Sequence, residues 1–250
     1  MRSFDGRVAF VTGASRGIGR AIAEALGARG AAVVVNHPGG MESEEAAAAV
    51  SAITAAGGRA LAVEADLTQL AAIEPLFDAC EKAFGNPDFV ISNVGGIVRS
   101  CRIADFDEAL FDQVMTLNVK SAFFVLQQAA RRVRDGGRII ALSSSTTSQP
   151  YPGTAVYGGG KAAVELFCRV LAHEVGERGI TVNSVAPGLT TSHGMLVAPP
   201  PDARIAQVIG STPLKRLGTP DDVAQAVLML LGDDAGWITG QCIHAGGGFH

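Results

Sequence analysis

The chain has 250 residues, 48% of them hydrophobic and 18% charged, with a formal net charge of −4. A chain of this length buries a sizeable core without staples, and a slightly acidic balance with no basic block argues against nucleic acid as the main partner. The four cysteines, Cys80, Cys101, Cys168 and Cys242, lie far apart with neither a CxxC pair nor metal-ligand spacing, so reduced thiols and no metal site are expected.

From the N-terminus, MRSFDGRVAFVTG enters a strand at once, which leaves no room for a signal peptide. No continuous apolar run approaches the roughly 18 residues that a membrane span needs. The expectation is a soluble cytoplasmic protein that makes no use of a membrane. Short, almost wholly apolar segments then recur at Arg7–Thr12, Ala32–Asn36, Arg59–Val63, Asp88–Ser92, Arg138–Leu142, Ile180–Val185 and Gln241–Ala245. Such runs are the pattern of parallel strands covered on both faces. Between them Ile18–Arg29, Glu42–Ala56, Leu70–Phe84, Ala109–Val133, Val156–Glu177 and Asp221–Leu231 have helical composition. Repeated β–α alternation predicts an α/β fold, a Rossmann-type doubly wound parallel sheet of about seven strands with helices on both faces. No composition break divides the chain, so residues 1–250 read as one dinucleotide-binding and catalytic domain. The irregular stretch at about 190–220, with Pro199-Pro200-Pro201 and short helix-like pieces, reads as a substrate loop or as an ordinary surface excursion.

The first strand runs into Thr12-Gly13-Ala14-Ser15-Arg16-Gly17-Ile18-Gly19 and then a helix. Glycines there let the backbone approach a pyrophosphate, which the helix N-terminus attracts. A ligand-free glycine-rich turn would have the same composition. An acidic residue at the end of the second strand would hold the ribose hydroxyls of NAD. Val35-Asn36-His37-Pro38 has none, whereas Arg16 can meet the 2′-phosphate of NADP, with His37 assisting. NADP(H) is therefore favoured over NAD(H).

Tyr157 and Lys161 are four apart in a helical stretch and share a face. Free tyrosine titrates near ~10. A neighbouring ammonium lowers that value, toward the range useful for acid–base work. Taken alone, the pair could equally be two exposed helix residues. Ser143-Ser144-Ser145 end a buried strand about a dozen residues earlier, where parallel strands open onto a ligand crevice. A serine nucleophile would need a nearby histidine and a Gly-x-Ser-x-Gly elbow, and that motif is missing from the sequence.

Taken in order, TGASRGIG at Thr12–Gly19, Asp66-Leu67, Asn93-Val94-Gly95, Asn118 in LNVKSAFF, Ser144, YGGGK at Tyr157–Lys161, Pro187-Gly188 and PLKRLGTPDDVA at Pro213–Ala224 resemble the short-chain dehydrogenase/reductase family over essentially the whole chain. The overall pattern is close to its 3-oxoacyl-carrier-protein reductase branch. The resemblance implies that Tyr157 exchanges a proton with the substrate oxygen. Lys161 would lower the tyrosine pKa and hold the nicotinamide ribose, Ser144, thirteen residues before the tyrosine, would orient the substrate oxygen, and Asn118 would hold a relay water. It also implies a cofactor lining of Gly13, Ser15, Arg16, Gly17, Ile18, Gly19, Asn36, His37, Asp66, Leu67, Asn93, Gly95, Pro187, Gly188 and Thr190. A homotetramer is implied too, with the helices around Ala109–Val133 and Val156–Glu177 at an interface.

The sequence departs from the family at Ser92-Asn93-Val94-Gly95, where Asn-Asn-Ala-Gly is usual, and at Gly158-Gly159-Gly160, where alanine or serine is usual. Each glycine costs a helix about 0.8–1.0 kcal/mol relative to alanine, which predicts a looser start to the catalytic helix. His173, His193, His244 and His250 read as surface or packing residues, with His193 a candidate substrate contact. Arg131, Arg132 and Arg134 suit a helix C-terminus, or, with Arg178, a docking patch for an acyl carrier protein. The leading expectation is an NADPH-dependent reduction of a ketone to a secondary alcohol, on a small-molecule or carrier-bound substrate. The alternatives are an NAD-linked dehydrogenase of a sugar, polyol or steroid alcohol, and a non-catalytic cofactor-binding regulator. The substrate pocket is expected from Gly95–Ile97, Thr146–Tyr151 and the loop after Thr190, with no charged anchor among them.

Overall fold

The computed structural model describes residues 4–191 and 202–249. Seven parallel strands form one sheet: β1 (Val8–Val11), β2 (Ala32–His37), β3 (Arg59–Glu64), β4 (Phe89–Ser92), β5 (Arg138–Leu142), β6 (Thr181–Pro187) and β7 (Cys242–Ala245). Their spatial order is β3-β2-β1-β4-β5-β6-β7. Every residue of β1, β2, β4 and β6 is buried, which is why these segments read as apolar runs without alternation. Only the edge strands β3 and β7 carry exposed positions.

Helices α1 (Gly17–Gly27), α2 (Glu42–Ala55) and α8 (Pro220–Leu231) cover one face, joined to it through Ile22, Leu26, Ile53 and Val227. On the other face lie α3 (Ile73–Phe84), α5 (Ser121–Arg132) and α6 (Ala155–Val175), through Phe77, Val125, Leu126, Val164 and Leu171. Helix α4 (Glu108–Met115) continues through a π-helical turn at Thr116–Lys120 into α5, so the single helix expected over Ala109–Val133 is interrupted. The combined helix Glu108–Arg132 is 25 residues long with mean hydropathy 1.2, long and apolar enough to cross a membrane by length and composition alone. Its sequence still holds no uninterrupted apolar run of that length. In the fold, its Ala122, Val125, Leu126 and Ala129 pack into the core.

Helix α7 (Asp202–Ser211) lies inside the stretch expected to be a loop, while Pro199–Pro201, His193 and His250 fall outside the described residues. His173 and His244 are exposed, and the four cysteines are free. Strand order reverses between β1 and β4, which are parallel neighbours, and the chain leads away from them into opposite halves of the sheet. In a doubly wound sheet that reversal opens a crevice, and all the chemistry expected from the sequence lies around it.

The three glycines do not break α6, which runs through them from Ala155. They differ in what surrounds them. A Cβ on Gly160 would stand 3.0 Å from the Val119 side chain, whereas one on Gly159 would meet nothing within 4 Å. Gly159→Ala is therefore expected to raise stability by about 0.8–1.0 kcal/mol, read from the denaturant midpoint. No gain, or a loss, would show that Gly159 is needed for more than space.

Candidate active site

The cofactor end of the crevice is built from backbone. Gly13 and Gly17 take left-handed conformations, with φ +57° and +59°, which glycine adopts without strain. A Cβ on Gly19 would collide with the Gly13 carbonyl oxygen and with Asn93 Nδ2. The first turn of α1 holds no acidic residue, and its N-cap, Arg16, makes no side-chain capping bond. The helix start is therefore ready to receive an anion. Asn36 and Asn93 fix the loop. Asn36 Oδ1 accepts from Gly13 N at 3.1 Å, and its Nδ2 donates to the Ala65 carbonyl at 3.0 Å. Asn93 Nδ2 donates to the Thr12 and Gly13 carbonyls at 2.9 and 3.0 Å.

At the chemical end, Tyr157 lies on the first turn of α6 in an apolar nest of Leu110, Val114, Ile97 and Val156. Its hydroxyl shares a hydrogen bond with Ser144. Ser144 Oγ also accepts from Thr146 N at 3.2 Å and from Thr146 Oγ1 at 3.0 Å. Of the other two serines, Ser143 donates to Glu165 at 2.5 Å, and Ser145 opens the following 3₁₀ turn. Lys161 lies one turn beyond the tyrosine, with Nζ 5.9 Å from its ring centroid and donating to the Leu142 carbonyl at 2.9 Å. The π turn brings Asn118 into the same wall. Its Oδ1 accepts from Gly96 N at 2.8 Å, and its Nδ2 donates to the Gly96 and Val114 carbonyls at 3.0 and 2.9 Å. Asn118 thus clamps the loop after β4. A Cβ on Gly95 would stand 2.7 Å from both Asn118 Oδ1 and Lys161 Nζ, so only glycine lets that loop pass.

Electrostatics reverse one expectation. Burial raises Tyr157 to about 12, an effect larger than the opposing bond from Ser144. Burial also lowers Lys161 to about 8. The spacing of the two residues suggested an ammonium pulling the phenol down. In the fold the ammonium points to Leu142 and the phenol is desolvated by Leu110 and Val114, so desolvation wins. At neutral pH the tyrosine is a protonated acid beside a charged lysine.

A cavity of about 580 Å³ joins the two ends and is lined by Gly13, Arg16, Gly17, Ile18, Gly19, Asn36, Asp66, Leu67, Asn93, Gly95, Tyr157, Lys161 and Pro187. Asn118 and Ser144 stand behind that wall. Four residues expected on the lining are not there. Ser15 is fully buried with its hydroxyl on Glu42, His37 is buried with Nδ1 accepting from Gly39 N, Gly188 packs on Gly246, and Thr190 bridges to Gly218. Pro38, Glu42, Val98 and Leu117 also line the cavity, though the sequence did not single them out as cofactor contacts.

A second cavity of about 280 Å³ is lined by Gln149, Pro150, Tyr151, Arg204, Gln207 and Phe249, among others. Arg204, on α7, stacks on Tyr151 at 4.7 Å, so a cation stands beside the Thr146–Tyr151 segment. The expected basic docking patch is largely spent within the chain. Arg132 pairs with Glu74, Asp78 and Glu81, Arg134 with Asp88, and Arg178 with Asp135 and the Ala130 and Val133 carbonyls.

With this geometry in place, comparison with known proteins is specific. Residues 13–250 match a family model described as enoyl-(acyl carrier protein) reductase. An uncharacterised oxidoreductase of Methylorubrum extorquens is 41% identical over 249 residues, covering 99% of each chain. Versicolorin reductase of Emericella nidulans is 41% identical, covering 98% of this chain and 96% of that one. Among solved structures, a short-chain dehydrogenase/reductase from Serratia marcescens superposes with TM-score 0.91 at 35% identity over 98% of both chains. An angucycline C-6 ketoreductase with bound NADP superposes with TM-score 0.90 at 36% identity, over 99% of this chain and 96% of that one. The chain belongs to the short-chain dehydrogenase/reductase family and is an NAD(P)-dependent oxidoreductase.

The residues present fit a nicotinamide dinucleotide. The Gly13–Gly19 loop and the start of α1 suit a pyrophosphate, Asp66 and Leu67 line the same cavity and would border the adenosine, and the Asn93–Gly96 loop leads along it toward Lys161 and Tyr157. A Cβ at Gly13, Gly19 or Gly95 would tighten or block that cradle.

Proposed function

We propose that the protein is an NADPH-dependent reductase that converts a ketone to a secondary alcohol. The observation that carries this reading is that buried Tyr157 and Lys161 both line one end of the cavity, with Ser144 bonded to the tyrosine hydroxyl just behind them. When bound, the dinucleotide supplies the hydride. Tyr157 gives its proton to the carbonyl oxygen, and Ser144 orients that oxygen. Lys161 holds the nicotinamide ribose hydroxyls, and the Asn118 turn completes a relay that returns a proton to the tyrosine. The same tyrosine serves as acid in reduction and as base in oxidation, so the preference for a reductase over an NAD-linked dehydrogenase of a sugar, polyol or steroid alcohol rests on the cofactor end of the cavity. A regulatory protein without catalysis would have no use for the four residues together.

NADP(H) is favoured over NAD(H) because Arg16 lines the cavity while no carboxylate ends β2. The resemblance is to 3-oxoacyl-carrier-protein reductases, but the paired state of Arg132, Arg134 and Arg178 favours a small free ketone over a carrier-bound one. Residues 1–250 act as one domain, with the substrate loop near 190–220 and the Arg204–Tyr151 pair at the far end. A cytoplasmic homotetramer is the state we assign. The exposed Phe123, Leu166 and Val170 on α5 and α6 support that assembly.

The test is a panel of 3-oxoacyl thioesters, versicolorin-type and angucycline-type ketones and simple alcohols, followed by NADPH or NADH absorbance. NADPH oxidation by a ketone is expected, slowing as pH rises through about 8 and Lys161 loses its charge. Cofactor binding with no turnover on any member would instead favour the regulatory reading, and faster alcohol oxidation with NAD the dehydrogenase.

A further inference from the structure

An acidic residue is missing from the end of β2, yet one reaches the same region from elsewhere. Glu42 is the first residue of α2, and its carboxylate folds back over the glycine-rich loop. Oε1 lies 3.0 Å from Arg16 Nη2, and Oε2 accepts from the Ser15 hydroxyl at 2.5 Å. Arg16 and Glu42 both line the large cavity, next to Pro38. The Glu42 side chain is 21% exposed and that of Arg16 47%, so the carboxylate is the more enclosed of the two. Its path is set by the turn between β2 and α2, where Gly39 and Gly40 take φ +92° and +61°.

We propose that Glu42 sets the choice between the two dinucleotides by competing with the 2′-phosphate for Arg16. The inference rests on the assignment of the adenosine ribose to the Arg16 end of the cavity. A 2′-phosphate brings up to two negative charges to this corner. To use Arg16 it must displace the Glu42 carboxylate, which then remains nearby as a like charge. A 2′-hydroxyl, by contrast, can donate to the same carboxylate and leave the ion pair in place. Arg16 therefore favours NADP(H), Glu42 opposes it, and the preference of the protein is the difference between them. Ser15 strengthens the opposition because its bond holds Oε2 within the loop.

Glu42→Gln separates the two effects, since glutamine keeps the length of the side chain and an acceptor for Ser15 but releases Arg16. Dissociation constants for NADPH and NADH are measured by calorimetry on the parent and the variant, at low and at high salt. NADPH is expected to bind about tenfold more tightly to the variant, equivalent to about 1.4 kcal/mol. NADH should change by less than about twofold, and the gain for NADPH should shrink as salt screens the charges. An equal shift for both cofactors would mark a merely structural role and overturn the inference, as would an unchanged ratio. The parent ratio is read separately. A parent that prefers NADH overturns the NADPH assignment, and a selective gain for NADPH in the variant would still support the role of Glu42.

Discussion

Replacing Lys161 by methionine is expected to stop turnover and, at neutral pH, to make the protein more stable. Lys161 is 3% exposed, and burial pushes its pKa down from the ordinary 10.5 to about 8. At pH 7 it is charged in both the folded and the unfolded chain, and the folded chain bears the cost of keeping an ammonium out of water. That cost, net of the bond to the Leu142 carbonyl, is on the order of 3 kcal/mol. Between about pH 8 and 10.5 the unfolded parent holds a proton that the folded parent has released, so parent stability climbs with pH across that window. Methionine fills a similar volume and has no charge to bury. The variant should therefore exceed the parent by about 1–3 kcal/mol at pH 7, with the difference closing above the unfolded lysine value. Urea unfolding at the two pH values reads this directly. A variant less stable than the parent at pH 7 would mean that the ammonium is held by more than Leu142. The stability given up at this one position is a measure of what the site requires from a charge there.

Much of the fold was legible because parallel strands buried on both faces leave an unambiguous trace. VAFV at Val8–Val11 and RIIAL at Arg138–Leu142 contain no alternation that a half-exposed strand would show, and the structure places both in the sheet. The helix between β4 and β5 was readable only in part. LNVK continues a helical composition, and nothing local announces the π turn. Two of the three bonds that hold Asn118 there reach Gly96 in the loop after β4, a partner that local composition does not show. The helix Asp202–Ser211 shows in the sequence only as one of the helix-like pieces of an irregular stretch, because Pro199–Pro201 just before it obscures where it begins.

Within the site, the glycine spacing, Tyr157, Lys161 and Ser144 could be picked out because their order along the chain is fixed. The sign of the tyrosine shift could not. It depends on Leu110 and Val114, which approach from a helix more than forty residues earlier in the chain, whereas spacing within α6 displays only the lysine. Glu42 is unmarked in the sequence for a related reason. The local signal for a ribose contact is a carboxylate at the end of β2, and only the Gly39–Gly40 turn carries the next acidic residue back to Arg16. Arg204 and Tyr151 are likewise brought together by tertiary packing alone.

The account turns on the hydroxyl of Tyr157, and Tyr157→Phe removes it with little else. The ring stays among Leu110, Val114, Ile97 and Val156, and Ser144 keeps both bonds from Thr146. The fold and the cofactor cradle should therefore survive. General acid catalysis by a placed side chain is worth roughly 10²–10⁴ in rate. The decisive measurement is NADPH-dependent ketone reduction by this variant beside its dissociation constant for NADPH. The account predicts turnover down by at least about a hundredfold with NADPH affinity within about twofold of the parent. Turnover equal to the parent's would contradict it, and would take the proton donor away from Tyr157.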